Sequence, residues 1–439
     1  MADTGKNRAS NITVTIILIL LPVLTWLFYS GLFVSGRLRT GGEPFNYFKD
    51  LAGSFAHGRL DIDRASGEKT ADLAFYNNKF YLYWPPVPAL VYMGLNALGN
   101  PTQDNLIAAS FGALNTTLVI LLFFVFSKKY GMGLKPLEVL FLAVFWSFGT
   151  VHFYMSMLGS VWYISQVMAQ TFLLASILFM LGRTSPMNLL LSSLFFSAAV
   201  YTRNDLIFSI FLLAAIHIKN RGKDLIKNVI VDSLAFALPF VCASAWNMAY
   251  NAARFDGRVF DNGINYCNIH LYFMQNVHKH GVTSFLYIPQ NLYSEVFKPM
   301  PLSVKFPFFL YGAEGFGFLW ASPLFFFIFP AAYFFLSGAE NILAGRTVIA
   351  GRLEKYDLIA MAAAAISGAA TAAVILMMVG NGWIQFASRY SLDFQLMAVI
   401  FMVFILKIWR GKYFYTAAAI LLALSVYIQY HGVKYFVQG

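Results

Sequence analysis

The chain has 439 residues, of which 59% are hydrophobic and 12% are charged, and its mean hydropathy is +0.63. Soluble domains carry about 25% charged residues, so this composition excludes an ordinary soluble protein and indicates a body embedded in a membrane. The net charge of +11 comes without basic runs interleaved with aromatic residues, so we expect no nucleic-acid partner. The two cysteines, Cys242 and Cys267, imply neither a disulfide framework nor a metal cluster.

Apolar segments of suitable length predict an all-α polytopic membrane protein with about eleven spanning helices. The candidate spans are residues 12–34, 105–127, 136–153, 161–182, 187–202, 206–219, 228–249, 316–336, 356–379, 390–408 and 413–430. Because the first of these runs follows Lys6 and Arg8 and is longer than a signal-peptide core, we expect a retained anchor. The whole chain, 1–439, is predicted to form one transmembrane domain.

Every second loop between these spans is basic. The cations concerned are Lys128, Lys129 and Lys135; Arg183; Lys219, Arg221, Lys223 and Lys227; Arg346, Arg352 and Lys355; and Lys407, Arg410 and Lys412. The positive-inside rule therefore predicts a multi-pass protein of the cell (inner) membrane with a cytosolic N-terminus. Two long loops, 35–104 and 250–315, then lie on the extracytoplasmic side.

The stretch from residue 72 to residue 90 organises the first long loop. It contains Asp72, a belt of aromatic residues and three prolines. Prolines interrupt regular helices, and aromatic side chains prefer the level of the lipid headgroups. We therefore predict that this stretch lies on the membrane surface and that residues 86–98 form a surface or re-entrant helix. A true span at residues 86–98 would reverse the sidedness of every later loop.

Four sets of polar residues lie within or beside the apolar segments. They are Gln166 and Gln170; Asn247, Asn251 and Arg254; Gln385, Arg389 and Asp393; and Arg203 with Asp205. An ionisable group at the centre of a spanning helix costs about 2.5 to 3.5 kcal/mol, so each set needs a physical reason. The predicted topology brings Arg203, Arg254 and Arg389 to the side of the first loop. Such a group of cations favours an anionic phosphate whose lipid tail lies in the bilayer.

Each set also has a structural interpretation. The two glutamines suit hydrogen bonds between helices. Arg389 and Asp393 are four residues apart and are able to pair with each other. Arg203 suits a side chain that extends to the membrane interface. The sequence leaves these alternatives open.

The first long loop resembles that of the GT-C class of membrane glycosyltransferases, which includes dolichyl-phosphate-mannose protein mannosyltransferases and the bacterial lipid A aminoarabinose transferase. The matching stretches are, in order, residues 47–60, 72–79, 84–90, 149–150, 201–203, 250–255, 320–323 and 382–394. They extend over nearly the whole chain and look like a prokaryotic branch of the class. One departure concerns the Asp-Glu pair that opens this loop in the protein mannosyltransferases, because this chain has Gly42, Glu43 and Pro44 there.

The resemblance implies a GT-C-like bundle with juxtamembrane helices in the first outer loop. It also implies an enzyme that moves a sugar, with inversion, from a polyprenyl-phosphate donor to a hydroxyl of a lipid, glycan or protein acceptor. For the base that accepts the hydroxyl proton we predict Asp72 first, then Asp50 and then Glu43; a helix N-cap is the alternative role for Asp72. The predicted ligands of the donor phosphate are Arg389, Arg203, Arg254 and Lys79.

Further candidates surround this predicted site. Those for substrate binding are Tyr76, Tyr81, Trp84, His57, Asn251 and Gln385, although His57 also suits a hydrogen-bonded surface histidine. No cofactor is certain; Asp61 and Asp63 are weak candidates for a divalent cation, Mg or Mn. The rival function is a transporter or flippase for a lipid-linked saccharide, which is expected to show a charged path at mid-bilayer or broken helices in paired repeats. The sequence contains neither feature.

Overall fold

The fold is described from a computed structural model, which covers residues 2–41, 45–64, 70–99, 103–267, 274–312, 315–343, 353–380, 382 and 385–438. The α-helices in these ranges are α1 (Ala2–Tyr29), α2 (Leu32–Ser35), α3 (Tyr47–Ala56), α4 (Val87–Ala97), α5 (Asp104–Lys129), α6 (Pro136–Phe148), α7 (His152–Met155), α8 (Val161–Leu181), α9 (Pro186–Val200), α10 (Ile210–Arg221), α11 (Leu225–Arg254), α12 (Met274–His280), α13 (Ile288–Leu292), α14 (Phe318–Ala321), α15 (Ile328–Leu343), α16 (Lys355–Leu376), α17 (Leu392–Val403), α18 (Ile405–Ile408) and α19 (Lys412–Gln438). A two-stranded hairpin, β1 (Ala74–Tyr76) and β2 (Lys79–Tyr81), interrupts the first long loop.

The described helices agree with the prediction of an all-α membrane protein. Seven helical runs are long and apolar enough to cross a membrane: Asp104–Lys129, Val161–Leu181, Asn204–Arg254, Pro323–Asn341, Lys355–Leu376, Arg389–Ile408 and Lys412–Val437. Four shorter apolar helices accompany them: Ile17–Tyr29, Val87–Ala97, Pro136–Phe148 and Pro186–Val200. Each predicted span coincides with a helix or a broken helical run, while the total of about eleven crossings stays a prediction.

The longest of these runs is a helical hairpin. Gly222 has φ +52°, a conformation open to glycine, and the chain reverses there between α10 and α11. Across the turn Asp232 of α11 accepts hydrogen bonds from Arg221 and lies 3.1 Å from Nε2 of His217. These side-chain contacts connect the last turns of α10 with the early turns of α11, as expected for two separate segments.

One end of the helices, which we call the loop face, gathers the two long loops. The backbone N–H of Val161, at the start of α8, donates to the carbonyl of Phe45 at 3.0 Å. The N–H of Val87 donates to the carbonyl of Tyr201, just after α9, at 3.3 Å. Ser388, before α17, donates its hydroxyl to Glu295 of the second loop. The start of α8 and the end of α9 therefore contact the first long loop, and Ser388, before α17, contacts the second.

The opposite end of the helices, which we call the basic face, carries several of the predicted basic loops. Lys407 pairs with Asp357 at 2.5 Å and donates to the carbonyl of Tyr130 at 2.9 Å. Arg410 reaches Glu138 at 3.3 Å. Loops expected on one side of the membrane thus lie together, which agrees with the predicted alternation of the spans.

The predicted surface helix is α4, and it packs against α3. Tyr92 of α4 is fully buried, and its hydroxyl accepts a hydrogen bond from Nδ2 of Asn46, at 2.8 Å, where α3 begins. Phe48 of α3 and Ala89 of α4 share an apolar cluster with Ile164 in the first turn of α8. The two loop helices therefore form a platform over the start of α8.

The hairpin replaces the irregular aromatic belt expected from the sequence. Asn77 and Asn78 form its turn with φ of 47° and 58°, and this is the left-handed pair that suits a two-residue hairpin loop. Ala74 also pairs with Cys267 of the second loop. Tyr81 packs on Phe255 with ring centroids 5.4 Å apart. The hairpin thereby joins the two long loops.

Candidate functional site

Asp72 lies on a turn immediately before β1 and is 8% exposed. Its φ of 64° is sparsely populated for a residue other than glycine. The turn is held by the N–H of Leu73, which donates to the carbonyl of Thr70 at 3.1 Å, and by the hydroxyl of Tyr47, which donates to the carbonyl of Ala71 at 2.6 Å. Because a strand follows rather than a helix, the helix N-cap alternative for Asp72 is wrong.

The carboxylate of Asp72 has one directional partner on the helices. Trp162, the second residue of α8, donates its indole Nε1–H to Oδ2 at 2.6 Å. Burial raises the pKa of Asp72 above its ordinary value, while the indole hydrogen bond and the nearby charge of Arg389 oppose that rise. The result is a buried carboxylate that is more basic than a solvated one.

Arg389 is a buried cation, 7% exposed, whose charge lowers the pKa of Asp72. Its guanidinium carbon lies 5.9 Å from the ring centroid of Trp162, 5.6 Å from Tyr163 and 4.8 Å from Tyr390. Nη2 donates to the Tyr390 hydroxyl at 3.1 Å, and Nε has no hydrogen-bond acceptor in the described part of the chain. Aromatic faces therefore hold this cation in place.

Asp393 pairs with Arg203 instead of Arg389. Nη2 and Nε of Arg203 donate to Oδ2 of Asp393 at 2.5 and 3.1 Å, and Asp205 lies 3.5 Å from Nε. The pairing of Arg389 with Asp393, one of the alternatives from the sequence, is therefore absent. Within the described ranges no carboxylate lies within the ion-pairing distance of 4.0 Å from Arg389.

The two glutamines of α8 have the structural role that was the alternative to a functional one. Nε2 of Gln166 donates to the backbone carbonyl of Arg389 and to Asp393, each at 3.1 Å. Nε2 of Gln170 donates to the carbonyl of Leu392 at 3.3 Å. These hydrogen bonds tie the first turn of α17 to α8. They fix the backbone that carries the Arg389 side chain.

Glu295 is a second buried carboxylate beside Arg389, and the sequence analysis missed it. It is 2% exposed, lies in the π-helical turn Tyr293–Phe297, and accepts a hydrogen bond from the hydroxyl of Ser388. Burial raises the pKa of Glu295 to about 7, although Ser388 and the charge of Arg389 lower it. An acidic residue flanked by Tyr293, Val296 and Phe297 in the second loop was the available sequence signal.

Asp50 and the weak metal candidates form ion pairs. Arg64 donates to Asp50 at 2.5 Å, whereas no lysine or arginine of the described ranges pairs with Asp72. Asp63 forms a two-bond pair with Arg59, and Asp61 lies 3.6 Å from the ammonium of Lys79. The described residues contain no group of three or more side chains suited to hold a metal ion.

Arg254 connects the first loop to α11. Nη1 donates to the carbonyl of Leu82 at 2.6 Å, and Nη2 donates to Oδ1 of Asn251 at 2.7 Å. The guanidinium stacks on Tyr250, 3.8 Å from its ring centroid. Arg254 and Asn251 are thus engaged in holding the segment after the hairpin.

The remaining candidates lie at several places on the loop face. The hydroxyl of Tyr76 accepts a hydrogen bond from Arg258 at 2.5 Å and donates one to Asp256. The ring of Trp84 stacks on that of Tyr83 with centroids 3.8 Å apart, and Nδ1 of His57 lies 2.9 Å from the carbonyl oxygen of Gly53. Oε1 of Gln385 accepts a hydrogen bond from the backbone N–H of Arg389 at 3.4 Å. Of these, Gln385 directly contacts the turn of Arg389. Glu43 lies outside the described residues.

The fold and the site define a helical membrane protein with a buried carboxylate and a buried arginine at one end of its helices. No protein-family model matches the sequence, and no curated protein matches it. The chain is similar to two solved structures of the oligosaccharyltransferase of Archaeoglobus fulgidus. The first, tethered by a disulfide to an acceptor peptide with an NVT sequon, is 12% identical with a TM-score of 0.45, and the match covers 96% of this chain and 55% of that one.

The second structure is the apo form of the same oligosaccharyltransferase. It is 13% identical with a TM-score of 0.44, and the match covers 96% of this chain and 56% of that one. This chain therefore spans only about half the length of the solved chains. The geometry of the site, rather than this likeness, carries the functional proposal below.

Proposed function

We propose that the protein is a membrane glycosyltransferase that moves a sugar from a polyprenyl-phosphate donor to an acceptor hydroxyl. The observation that carries the proposal is that Asp72 and Arg389 both contact Trp162. One is a buried base with a free carboxylate oxygen, and the other is a buried cation without an acidic partner in the described ranges. The resemblance of the first loop to the GT-C class suggests the same chemistry.

In the proposed reaction Arg389 binds the phosphate that links the sugar to its lipid. A planar guanidinium suits two oxygens of one phosphate, and Nε of Arg389 is without an acceptor until a ligand arrives. As the bond between the anomeric carbon and the phosphate oxygen breaks, the electron pair stays on the lipid phosphate. The fixed cation stabilises that charge as it develops.

Asp72 accepts the proton of the acceptor hydroxyl. The hydroxyl oxygen forms the new bond to the anomeric carbon from the face opposite the departing phosphate, so the configuration inverts. Trp162 occupies one carboxylate oxygen and thereby orients the other toward the acceptor. Burial raises the pKa of Asp72, which strengthens it as a base.

Other polar and charged residues position Arg389. Arg203, Gln166 and Asp393 fix the first turn of α17, and Glu295 fixes Ser388 immediately before Arg389. Asp61 and Asp63 contact Lys79 and Arg59, so the proposal assigns no step to a divalent cation there. The aromatic residues of the two long loops supply faces on which the sugar and a glycan, lipid or protein acceptor stack.

The proposed location is the extracytoplasmic face of the cell (inner) membrane. The support is the separation of the loop face from the basic face, because basic loops face the cytosol. A lipid-linked donor reaches the loop face from within the bilayer. The acceptor approaches through the aqueous side.

The test uses the full chain in nanodiscs, supplied with a panel of radiolabelled polyprenyl-phosphate sugars and membrane-derived acceptors. Label that moves from the lipid to a water-soluble or lipid acceptor, with inverted configuration, is the expected result. A parallel assay in liposomes follows a fluorescent lipid-linked saccharide from one leaflet to the other. Movement between leaflets without transfer of the sugar would replace the proposal with the transporter function.

A further inference from the structure

The segment formed by residues 301–311 of the second loop presents large apolar side chains outward. The N–H of Ser303 donates to the carbonyl of Phe308 at 2.8 Å, and the N–H of Leu310 donates to that of Pro301 at 2.9 Å, so the segment folds back on itself. Val304 is 96% exposed and Phe306 is 69% exposed. Side chains of this size at a tip are typical of a surface that meets an apolar phase.

This segment is fixed to the last helix of the fold. The hydroxyl of Tyr427 donates to the carbonyl of Pro307 at 3.1 Å, and that of Tyr311 donates to the carbonyl of Ile428 at 3.2 Å. The rings of Phe306 and His431 meet edge to face, 5.0 Å apart. Because α19 is long and apolar enough to cross a membrane, the tip lies beside the final turns of a spanning helix.

A groove of about 570 Å³ lies between the segment and α19. Its lining combines Lys305 of the segment with Lys434 and His431 of the helix, and with the aromatic rings of Tyr311 and Tyr435. Both lysines are exposed, and in the described part of the chain no carboxylate pairs with either. The groove therefore has cations at its edge and apolar walls.

We propose that this groove binds the phosphate headgroup of an anionic phospholipid while the apolar tip enters the lipid layer beside it. Aromatic and lysine side chains at the end of a spanning helix stand at the level of the headgroups, where ammonium groups meet phosphates. The positive charges of the two lysines complement an anionic headgroup. They lie beside apolar side chains whose exposure to water is unfavourable. The site lies outside the Asp72 and Arg389 arrangement and does not depend on the proposed transfer reaction.

The test measures hydrogen exchange of the peptide covering residues 301–311 in nanodiscs of phosphatidylcholine that contain increasing phosphatidylglycerol. Exchange should slow as phosphatidylglycerol increases. Each lysine near an anionic surface contributes about fivefold to affinity, so Lys305→Gln/Lys434→Gln should weaken the interaction about thirtyfold and leave the peptide unprotected at phosphatidylglycerol contents that protect the wild type. Lys305→Arg/Lys434→Arg should restore the protection and so show that the fold is intact.

Lys355→Gln/Lys412→Gln removes two exposed lysines from the basic face and serves as the matched control, with protection expected as in the wild type. Inorganic phosphate added to phosphatidylcholine nanodiscs should give no protection, and if it did, the site would be one for a free anion. Equal exchange in the two lipids, or full protection in the double glutamine variant, would overturn the proposal.

Discussion

Arg203 donates two hydrogen bonds to Asp393, at 2.5 and 3.1 Å, although Arg389 is much nearer to Asp393 in the sequence. This long-range pair satisfies the charge of Asp393 and leaves the guanidinium of Arg389 among aromatic rings. A buried cation without an acidic partner is costly unless a ligand supplies the anion. The pairing of Arg203 is the reason why we propose Arg389, of the four predicted cations, as the phosphate ligand.

Replacing Arg389 by alanine should weaken binding of a polyprenyl phosphate. Hydrogen bonds to a charged group contribute about 1.5 to 3 kcal/mol, so we expect a loss of about tenfold to a hundredfold in affinity. Isothermal titration in detergent micelles measures the dissociation constant. Arg258→Ala, which removes an exposed arginine of the loop face, is the control. An unchanged dissociation constant for Arg389→Ala would reduce Arg389 to a structural residue.

Replacing Trp162 by phenylalanine should shift the pH dependence of transfer. The indole hydrogen bond stabilises the ionised form of Asp72, so its loss raises the pKa of that carboxyl further. We expect the acidic limb of the kcat/KM profile to move upward by about one pH unit. Trp26→Phe, whose indole donates to Ser110 instead, should leave the profile in place. The same profile in both variants would remove Trp162 as the residue that tunes Asp72.

Replacing Glu295 by glutamine should stabilise the protein at high pH. Burial raises the pKa of Glu295 in the fold to about 7, above its ordinary value of 4.5, so the folded state binds the extra proton between these pH values. The wild type consequently loses stability as pH rises through that window, and the glutamine variant does not. The difference in Tm should grow from pH 4.5 to pH 7 and then level off. A difference that is constant with pH would contradict this account of Glu295.

The helices were the most predictable part of the fold. Apolar runs such as 161–182 and 356–379 coincide closely with Val161–Leu181 and Lys355–Leu376, because a membrane requires long uninterrupted segments. The surface helix from residue 86 also appears, as Val87–Ala97. Local composition is sufficient for such elements. The number of crossings depends additionally on how the short helices lie relative to a bilayer.

The sequence did not predict the hairpin around Asn77 and Asn78. The Asn-Asn turn lies in a stretch whose prolines and aromatic residues favoured a segment on the membrane surface. The ion pair of Arg203 with Asp393 and the hydrogen bond of Ser388 with Glu295 join residues far apart in the sequence. Such contacts depend on how helices and loops pack. Residue spacing favoured the local Arg389 and Asp393 pair instead.

The central claim is that Asp72 is the base of a sugar transfer, and Asp72→Asn tests it most directly. Asparagine preserves the size of the side chain and is able to accept the indole hydrogen bond of Trp162, but it does not take up the acceptor proton. In single-turnover reactions with a radiolabelled polyprenyl-phosphate sugar, the variant should bind the donor as the wild type does and transfer none of the label. Transfer at the wild-type rate by a folded Asp72→Asn variant would contradict the claim.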